Sequence, residues 1–418
     1  MSYPEIVWHW MQEVSKRFPA LSWPQAKGLA CYSLGIVLAN TCGLTQVADS
    51  LAELLGQKRQ SCFQRLREWR NEAKAKKGEQ RQEVAVATCF APLLAWILSL
   101  WDPTNKQLVL VLDATSVGNR FVVLSISVVL RSCAIPVAWH IQRAGVKGAH
   151  KPHWLRLLER LQAAVPADWQ VLVMADRGLY AKWLYKRIIE YRWHPFLRIN
   201  VGCKARPESA KRGSVFEPIR RLVPRQGTQW SGRVRCFSSK GARVCCTLLA
   251  RWEDGYQDPW FILTDLPLQQ AEACWYGLRC WIECGFKDGK RGGWNWQHCR
   301  SQTPARVERL WLALAVATLI AVGLGAEREA QEALPCLEQL PLNHIARRTA
   351  AAAQERAAAA GRTPKAKPKR VLSCFNRGCR LLMRLVWRLQ ERLSFSLPVE
   401  PWPHLPELPV EGGFLGTG

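Results

Sequence analysis

The chain has 418 residues, with 59 Lys and Arg against 33 Asp and Glu, so its formal net charge is +26. A composition that is 48% hydrophobic and 22% charged excludes a disordered chain and is typical of a folded protein. The basic excess, with a pI near 9.8, indicates a polyanionic partner, nucleic acid first and an anionic membrane surface second. The 16 cysteines show no C-x-x-C spacing, which argues against a zinc ribbon or a secreted disulfide scaffold and predicts reduced thiols in the cytoplasm.

Residues 1–83 are predicted to form a helical, DNA-binding N-terminal domain. Pro24 can begin a helix after Ser22. The stretch GLTQVADSLAELLGQKRQSCFQRLREW then holds two segments with helical periodicity, and Gly56 between them suits a helix C-cap. The second segment is rich in Arg, which is compatible with a helix-turn-helix, although any short helical hairpin has the same pattern.

Residues 84–201 are predicted to form the first part of an α/β core. After an apolar helix at about 87–101, the stretches KQLVLVLDATSV, FVVLSISVVLR and CAIPVAWHIQR have the length and β-branched composition of strands. They predict an antiparallel meander. A helix in HWLRLLERLQAAV, a strand in WQVLVMADRGLY, a helix in KWLYKRIIEYRW and a strand in PFLRI follow.

The remaining sequence divides into three predicted segments. Residues 202–264 form a β-rich insertion, in which VRCFSSKGARVCCTLLARW is a hairpin that turns at SSKG. Residues 265–330 complete the core, with helices at 268–290 and 304–326; the 17 uncharged residues Leu310–Ala326 fall short of the ~20 of a spanning helix and indicate a buried core helix. Residues 331–418 form a basic helical C-terminal region, with an amphipathic helix at 372–393.

Two acids each follow an apolar strand, and a third lies on a predicted helix. Asp113 and Asp176 are predicted to end neighbouring strands, so their carboxylates can converge, and Glu283 supplies a third carboxylate. Oxygen ligands of this kind suit Mg²⁺ or Mn²⁺. Two such ions ~4 Å apart can activate water and stabilise the leaving oxygen of a phosphodiester.

The stretch YGLRCWIECGFKDGK surrounds Glu283 with cations and a phenol. On a helix, Tyr276, Arg279, Glu283, Lys287 and Lys290 would share one face. One acid among such neighbours can hold a metal while the neighbours hold phosphate oxygens. The alternative is an exposed helix with ordinary Glu–Lys pairs.

The spacing Y-(2)-R-(3)-E-(6)-K is matched in full by Tyr276, Arg279, Glu283 and Lys290. It resembles the signature of the "insertion sequence four" family of bacterial DDE transposases. LVLDATSV and VLVMADRGLY resemble the segments that carry that family's first and second Asp. The resemblance covers about residues 100–326.

The resemblance implies an RNase H-like catalytic core with a β-rich insertion between the second Asp and the Glu. It implies that Asp113, Asp176 and Glu283 bind two Mg²⁺ ions, for which Mn²⁺ can substitute. Tyr276, Arg279 and Lys290, joined by Lys287 on the same predicted face, would contact phosphates of the transposon end. Arg198 resembles a further phosphate contact. Trp260 stands where some members stack a flipped base, or it is an ordinary core Trp.

The expected function is that of a bacterial insertion-sequence transposase in the cytoplasm, at the nucleoid. It would bind the double-stranded terminal inverted repeats and target DNA and act as a homodimer in the synaptic complex. No membrane partner is expected. It would catalyse Mg²⁺-dependent strand cleavage and strand transfer by cut-and-paste transposition. The alternative is a non-catalytic or domesticated DNA-binding protein derived from a transposase, and a third possibility is an RNase H-like nuclease that does not join strands.

Overall fold

The computed structural model describes residues 3–76, 81–146, 148, 150–211, 213–253, 256–332, 372–388 and 390–398. The α-helices of these ranges are α1 Glu5–Arg17, α2 Trp23–Ala39, α3 Leu44–Leu55, α4 Arg59–Arg70, α5 Phe90–Ser99, α6 Lys151–Gln162, α7 Lys182–Glu190, α8 Cys280–Gly289, α9 Pro304–Gln331 and α10 Cys374–Trp387. The strands are β1 Gln107–Val117, β2 Phe121–Leu130, β3 Cys133–Arg143, β4 Gln170–Ala175, β5 His194–Arg198, β6 Lys204–Pro207, β7 Glu217–Pro218, β8 Gln229–Cys236, β9 Val244–Arg251 and β10 Trp260–Thr264.

The fold is mixed α/β, built on one ten-stranded sheet with the order β3-β2-β1-β4-β5-β10-β9-β8-β6-β7. β1, β2 and β3 form the predicted antiparallel meander. β4 and β5 add to β1 in parallel, and β10 then pairs antiparallel to β5. The β-rich prediction for 202–264 is confirmed, including the β8–β9 hairpin, and these strands continue the core sheet.

The first strand is longer than its sequence suggested. Residues Leu110 to Val117 of β1 pair with β2, so Asp113 lies inside the strand. The prediction that Asp113 ends its strand is therefore wrong. The parallel pairing with β4 does end there, because its last pair is Leu112 with Ala175.

Two helix boundaries predicted for the N-terminal segment, the start after Ser22 and the end at Gly56, are confirmed. Ser22 and Gln25 form a capping box at the start of α2, and Gly56 ends α3 with a left-handed φ of 60°. The four helices pack into the same hydrophobic core as the sheet and α9. The division of the chain into five segments stays a prediction.

The long apolar helix α9 lies at the centre of this core. It is long and apolar enough to cross a membrane, but 94% of its most apolar 18-residue window is buried inside the protein. This burial supports the interpretation of α9 as a core helix. α10 crosses α9 so closely that a Cβ on Gly325 or Gly378 would collide with the backbone of Cys374 or Ala321. α10 covers less than the predicted 372–393, and the predicted Ala-rich helix and basic linker lie outside the described residues.

Candidate active site

The sheet places the two aspartates side by side. Leu112 on β1 pairs with Ala175 on β4, so the next residues, Asp113 and Asp176, are neighbours at the point where the two parallel strands diverge. α8 packs across the meander, where Gly285 leaves no room for a Cβ, which would lie 2.7 Å from that of Ala134. This close approach brings Glu283, in the first turn of α8, to the same place.

A single guanidinium contacts all three acids. Arg279 Nη2 donates to Asp113 Oδ2 at 2.9 Å and lies 3.9 Å from Asp176 Oδ2, while Nη1 donates to Glu283 Oε1 at 2.5 Å. The Arg279 side chain is only 11% exposed. Its Nε is buried without a hydrogen-bond partner in the described part of the chain. The acids therefore converge, and a protein cation lies among them.

Burial and charge act in opposite directions on this cluster. Burial raises the pKa of Asp113, and the Arg279 guanidinium partly offsets that rise. Burial alone would lower the pKa of Arg279, but the Tyr276 phenol and the three carboxylates raise it above its ordinary value. Arg279 therefore stays cationic and neutralises part of the negative charge.

Two aromatic residues form one wall of the site. The Tyr276 hydroxyl donates to Asp176 Oδ1 at 3.3 Å, and its residue is 2% exposed. The Trp260 ring packs edge-on against Tyr276 at 5.3 Å and against Tyr256 at 5.2 Å, and it is 3% exposed. Base stacking on Trp260 stays a prediction, since in this structure the ring is a packed wall residue.

The remaining predicted basic residues lie at the margins of the site. Arg198, at the end of β5, places Nη1 3.8 Å from Asp176 Oδ1 and donates from Nη2 to the Pro259 carbonyl at 3.5 Å. Lys290 donates from Nζ to Thr115 Oγ1 at 2.8 Å, and burial lowers its pKa. Lys287 is exposed on α8.

The predicted continuous helix over 268–290 is wrong. Tyr276 and Arg279 lie in a 3₁₀ segment, Ala273–Arg279, and α8 contains only Cys280–Gly289. Tyr276 turns inward to Asp176, and Arg279, the last residue of the 3₁₀ segment, reaches both Asp113 and Glu283. α8 ends at a glycine-rich turn, where the Gly292 amide donates to the Lys287 carbonyl, so Lys290 lies beyond the helix.

Sequence reasoning missed Thr115. It lies two residues after Asp113 on β1, and side chains two apart on a strand point to the same face. That alternation in LDATS was the available signal.

The donor chemistry of the site suits a hard divalent cation, because its three acids offer carboxylate oxygens and no thiol or imidazole. As arranged, however, no group of three or more His, Cys, Asp or Glu side chains in the described ranges forms a ready metal site. Arg279 already bridges the acids. A metal held by all three acids requires that Arg279 leave them.

Residues 105–320 match the family model described as "Transposase DDE domain", which is just over half of the chain. The chain belongs to this transposase family. All three acids and the Tyr276–Lys290 frame lie within the matched range. The cryo-EM structure of a piggyBac transposase synaptic complex with hairpin DNA is similar at 12% identity and a TM-score of 0.37, over 92% of this chain and 77% of that one. No curated protein matches the chain.

Proposed function

We propose that this transposase cleaves and joins DNA strands of an insertion sequence, with Asp113, Asp176 and Glu283 as its catalytic acids. The observation that carries the proposal is the convergence of acids from β1, from the end of β4 and from α8 on the Arg279 guanidinium. An acid cluster built from three separate elements costs stability when left uncompensated. Its presence beside Arg198 and Lys290, in a chain of net charge +26, fits phosphodiester chemistry better than structural ion pairing.

The strand order β3-β2-β1-β4-β5, with β2 antiparallel and β4 and β5 parallel to β1, supports an RNase H-like core for the catalytic part. β6 to β9 would then be the insertion between Asp176 and Glu283. The helices α1 to α4 would be the N-terminal DNA-binding unit. The terminal inverted repeats and the target DNA are the proposed partners, with a homodimer joining two ends at the bacterial nucleoid.

Transposases of this family generally use divalent metal ions, and we assign two Mg²⁺ ions, replaceable by Mn²⁺, to the three acids. When bound, such ions lower the pKa of attacking water and stabilise the leaving oxygen. The Tyr276 hydroxyl orients Asp176 through its hydrogen bond. Arg279, released from the acids, has a rigid fork of donors that fits a DNA phosphate, and so does Arg198 at the margin. The Lys290 ammonium would contact a phosphate as a point charge.

The test uses the purified full chain with duplex DNA that carries its own element end, in Mg²⁺ or in EDTA. We expect Mg²⁺-dependent nicking at the element end that is lost in Glu283→Gln and in Asp113→Asn. Wild-type cleavage by Asp113→Asn would remove that residue from the site. Transfer of the cleaved 3′ end into a target plasmid separates a transposase from a nuclease that only cuts.

One observation favours the second candidate, a DNA-binding protein without catalysis. The Arg279 bridge neutralises the same acids that catalysis requires. This candidate predicts DNA binding without nicking in Mg²⁺, equal for wild type and Glu283→Gln. The nicking experiment therefore decides between the two functions.

A further inference from the structure

Helix α10 has two faces of opposite character. Its inward face is buried against α9 and α2; the buried residues are Cys374, Phe375, Gly378, Cys379 and Leu382. Its outward face carries Arg380, Arg384 and Trp387, and Arg388 follows as the C-cap residue; all four are exposed. Spacings of 4, 3 and 1 residues keep them within one stripe of the helix. We call these four residues the α10 stripe.

Within the described residues the arginines of the α10 stripe have no ion-pair partner, whereas the adjacent Arg377 pairs with Glu332 at 2.5 Å. From 362 to 392 the sequence contains ten Lys and Arg and a single acid, Glu391. Trp387 is 79% exposed, the largest exposed fraction among the large hydrophobic residues described. Unpaired cations beside an exposed aromatic ring suit a polyanion that also offers apolar edges.

We infer that the α10 stripe is a contact surface for the DNA backbone, separate from the three-acid site. Successive arginines four residues apart lie ~6 Å apart along the helix, which lets them reach neighbouring phosphates of one strand. Trp387 adds apolar contact with sugar or base edges. The inference rests on the proposed function in one respect, the choice of DNA as the polyanion.

The packing of α10 argues against the other partners. A helix that lies in a membrane interface inserts its apolar face, and the apolar face of α10 is already buried against α9. A second copy of the same stripe would repel it, because both carry three unpaired arginines. The buried face of the same helix lies near the Lys290 end of the candidate active site, since Phe375 of α10 packs against Trp294 at 4.7 Å, four residues after Lys290.

The experiment measures binding of the full chain to a fluorescent 25-base-pair duplex by anisotropy, in EDTA and over a range of NaCl concentrations. The stripe variant is Arg380→Gln/Arg384→Gln/Arg388→Gln. Its charge-matched control on α6 is Lys151→Gln/Arg156→Gln/Arg160→Gln, which also removes three exposed basic residues. Arg380→Lys/Arg384→Lys/Arg388→Lys keeps the charge. Thermal unfolding of each variant shows that the fold is retained, and the Lys variant serves if the Gln variant does not fold.

We expect the stripe Gln variant to bind the duplex at least tenfold more weakly in ~0.1 M salt, with the slope of log K against log [NaCl] reduced in magnitude by about 2 to 3. The α6 control should keep the wild-type slope, and Trp387→Ala should weaken binding with an unchanged slope. If the Gln variant does not fold, the test uses the Lys variant and Trp387→Ala. The Lys variant should retain the wild-type slope, and an unchanged DNA affinity of Trp387→Ala would overturn the inference. Equal losses of DNA affinity in the stripe and α6 variants would also overturn it. So would a stripe variant that loses binding to phosphatidylserine vesicles while it binds DNA like wild type. Because the assay contains no metal, failure to nick DNA leaves this result unaffected.

Discussion

The bridge formed by Arg279 can be removed with Arg279→Met, which keeps much of the side-chain volume and deletes the charge. The pair with Asp113 is the buried one, since these side chains are 11% and 19% exposed, whereas Glu283 is 57% exposed and its pair is screened by water. Removing one partner of a buried pair costs about 3–5 kcal/mol, and an exposed pair contributes about 1 kcal/mol or less. We therefore expect the free energy of unfolding of the metal-free protein to fall by about 3–5 kcal/mol at pH 7, nearly all of it from the pair with Asp113.

The same change should strengthen metal binding. In the wild type a divalent ion must displace the guanidinium from the carboxylates, and in Arg279→Met it does not. Because each 1.4 kcal/mol corresponds to about a tenfold change in affinity, the dissociation constant for Mn²⁺ should fall at least about tenfold. Titration of the metal-free protein with Mn²⁺, followed by electron paramagnetic resonance of the free ion, measures this without DNA or turnover.

Arg198→Met is the matched control. Arg198 lies 3.8 Å from Asp176 and leaves the bridge between the three acids intact, so Mn²⁺ affinity should change little. Should Arg279→Met bind Mn²⁺ no more tightly than wild type, competition between the guanidinium and the metal is refuted. The nicking activity of Arg279→Met should nevertheless be low, because the proposed phosphate contact is lost with the bridge.

Three further changes test the packing and charge of the core by denaturant unfolding. Burial raises the pKa of Asp288 to about 7, above its unfolded value, so the folded protein loses stability as the pH rises from about 4 to 7. Asp288→Asn should therefore be more stable than wild type by up to about 4 kcal/mol at pH 8, and equally stable at pH 3. Arg309 is 3% exposed and donates to the carbonyls of Arg70 and Val84, so Arg309→Met should lower stability by about 2–4 kcal/mol, and an unchanged midpoint would disprove this anchoring role. Gly378→Ala should lower stability by at least about 1–3 kcal/mol, because its Cβ meets the α9 backbone; wild-type stability would mean that α10 can shift away.

The periodic parts of the chain were predictable because local physics decides them. Short apolar runs of β-branched composition give β1 to β3, and a cap residue with helical spacing gives α2 and α3. The buried state of α9 followed from its length, since an apolar segment of that size also suits a core. These elements carry their signal within a dozen residues.

The end of β1 illustrates what local sequence does not encode. Asp113 looks like a strand end because polar residues follow it, yet β1 continues because β2 supplies partners as far as Phe121 opposite Val117. After Leu112, β1 pairs with β2 but no longer with β4, so one edge of β1 is left without a strand partner. Asp176 and the acid cluster lie at this edge. The position of the site thus depends on where the β1–β4 pairing ends relative to the β1–β2 pairing. Neither length can be predicted from the sequence of β1 alone.

The Tyr276–Lys290 frame shows a second limit of local sequence. The residues predicted for the site do lie there, but a common helical face does not explain how they come together. A common helical face predicted that they point together toward one ligand. In the structure tertiary contacts override that face: Arg279 reaches Asp113, and Lys290 reaches Thr115, from positions outside the regular part of α8. Both side chains point toward β1, where Arg279 reaches Asp113 and Lys290 reaches Thr115 two residues later on the same face. The spacing in the sequence therefore matches the distance from the 3₁₀ segment to the end of α8. It follows that Thr115→Val should change the orientation of Lys290, whose amine loses the Thr115 hydroxyl, while leaving the Arg279 bridge intact. Chemical-labelling rates of Lys290, which rise as its amine loses a partner, can be compared with Mn²⁺ affinity, which should not change. A parallel change in both would mean that the two arms of the frame are coupled through β1.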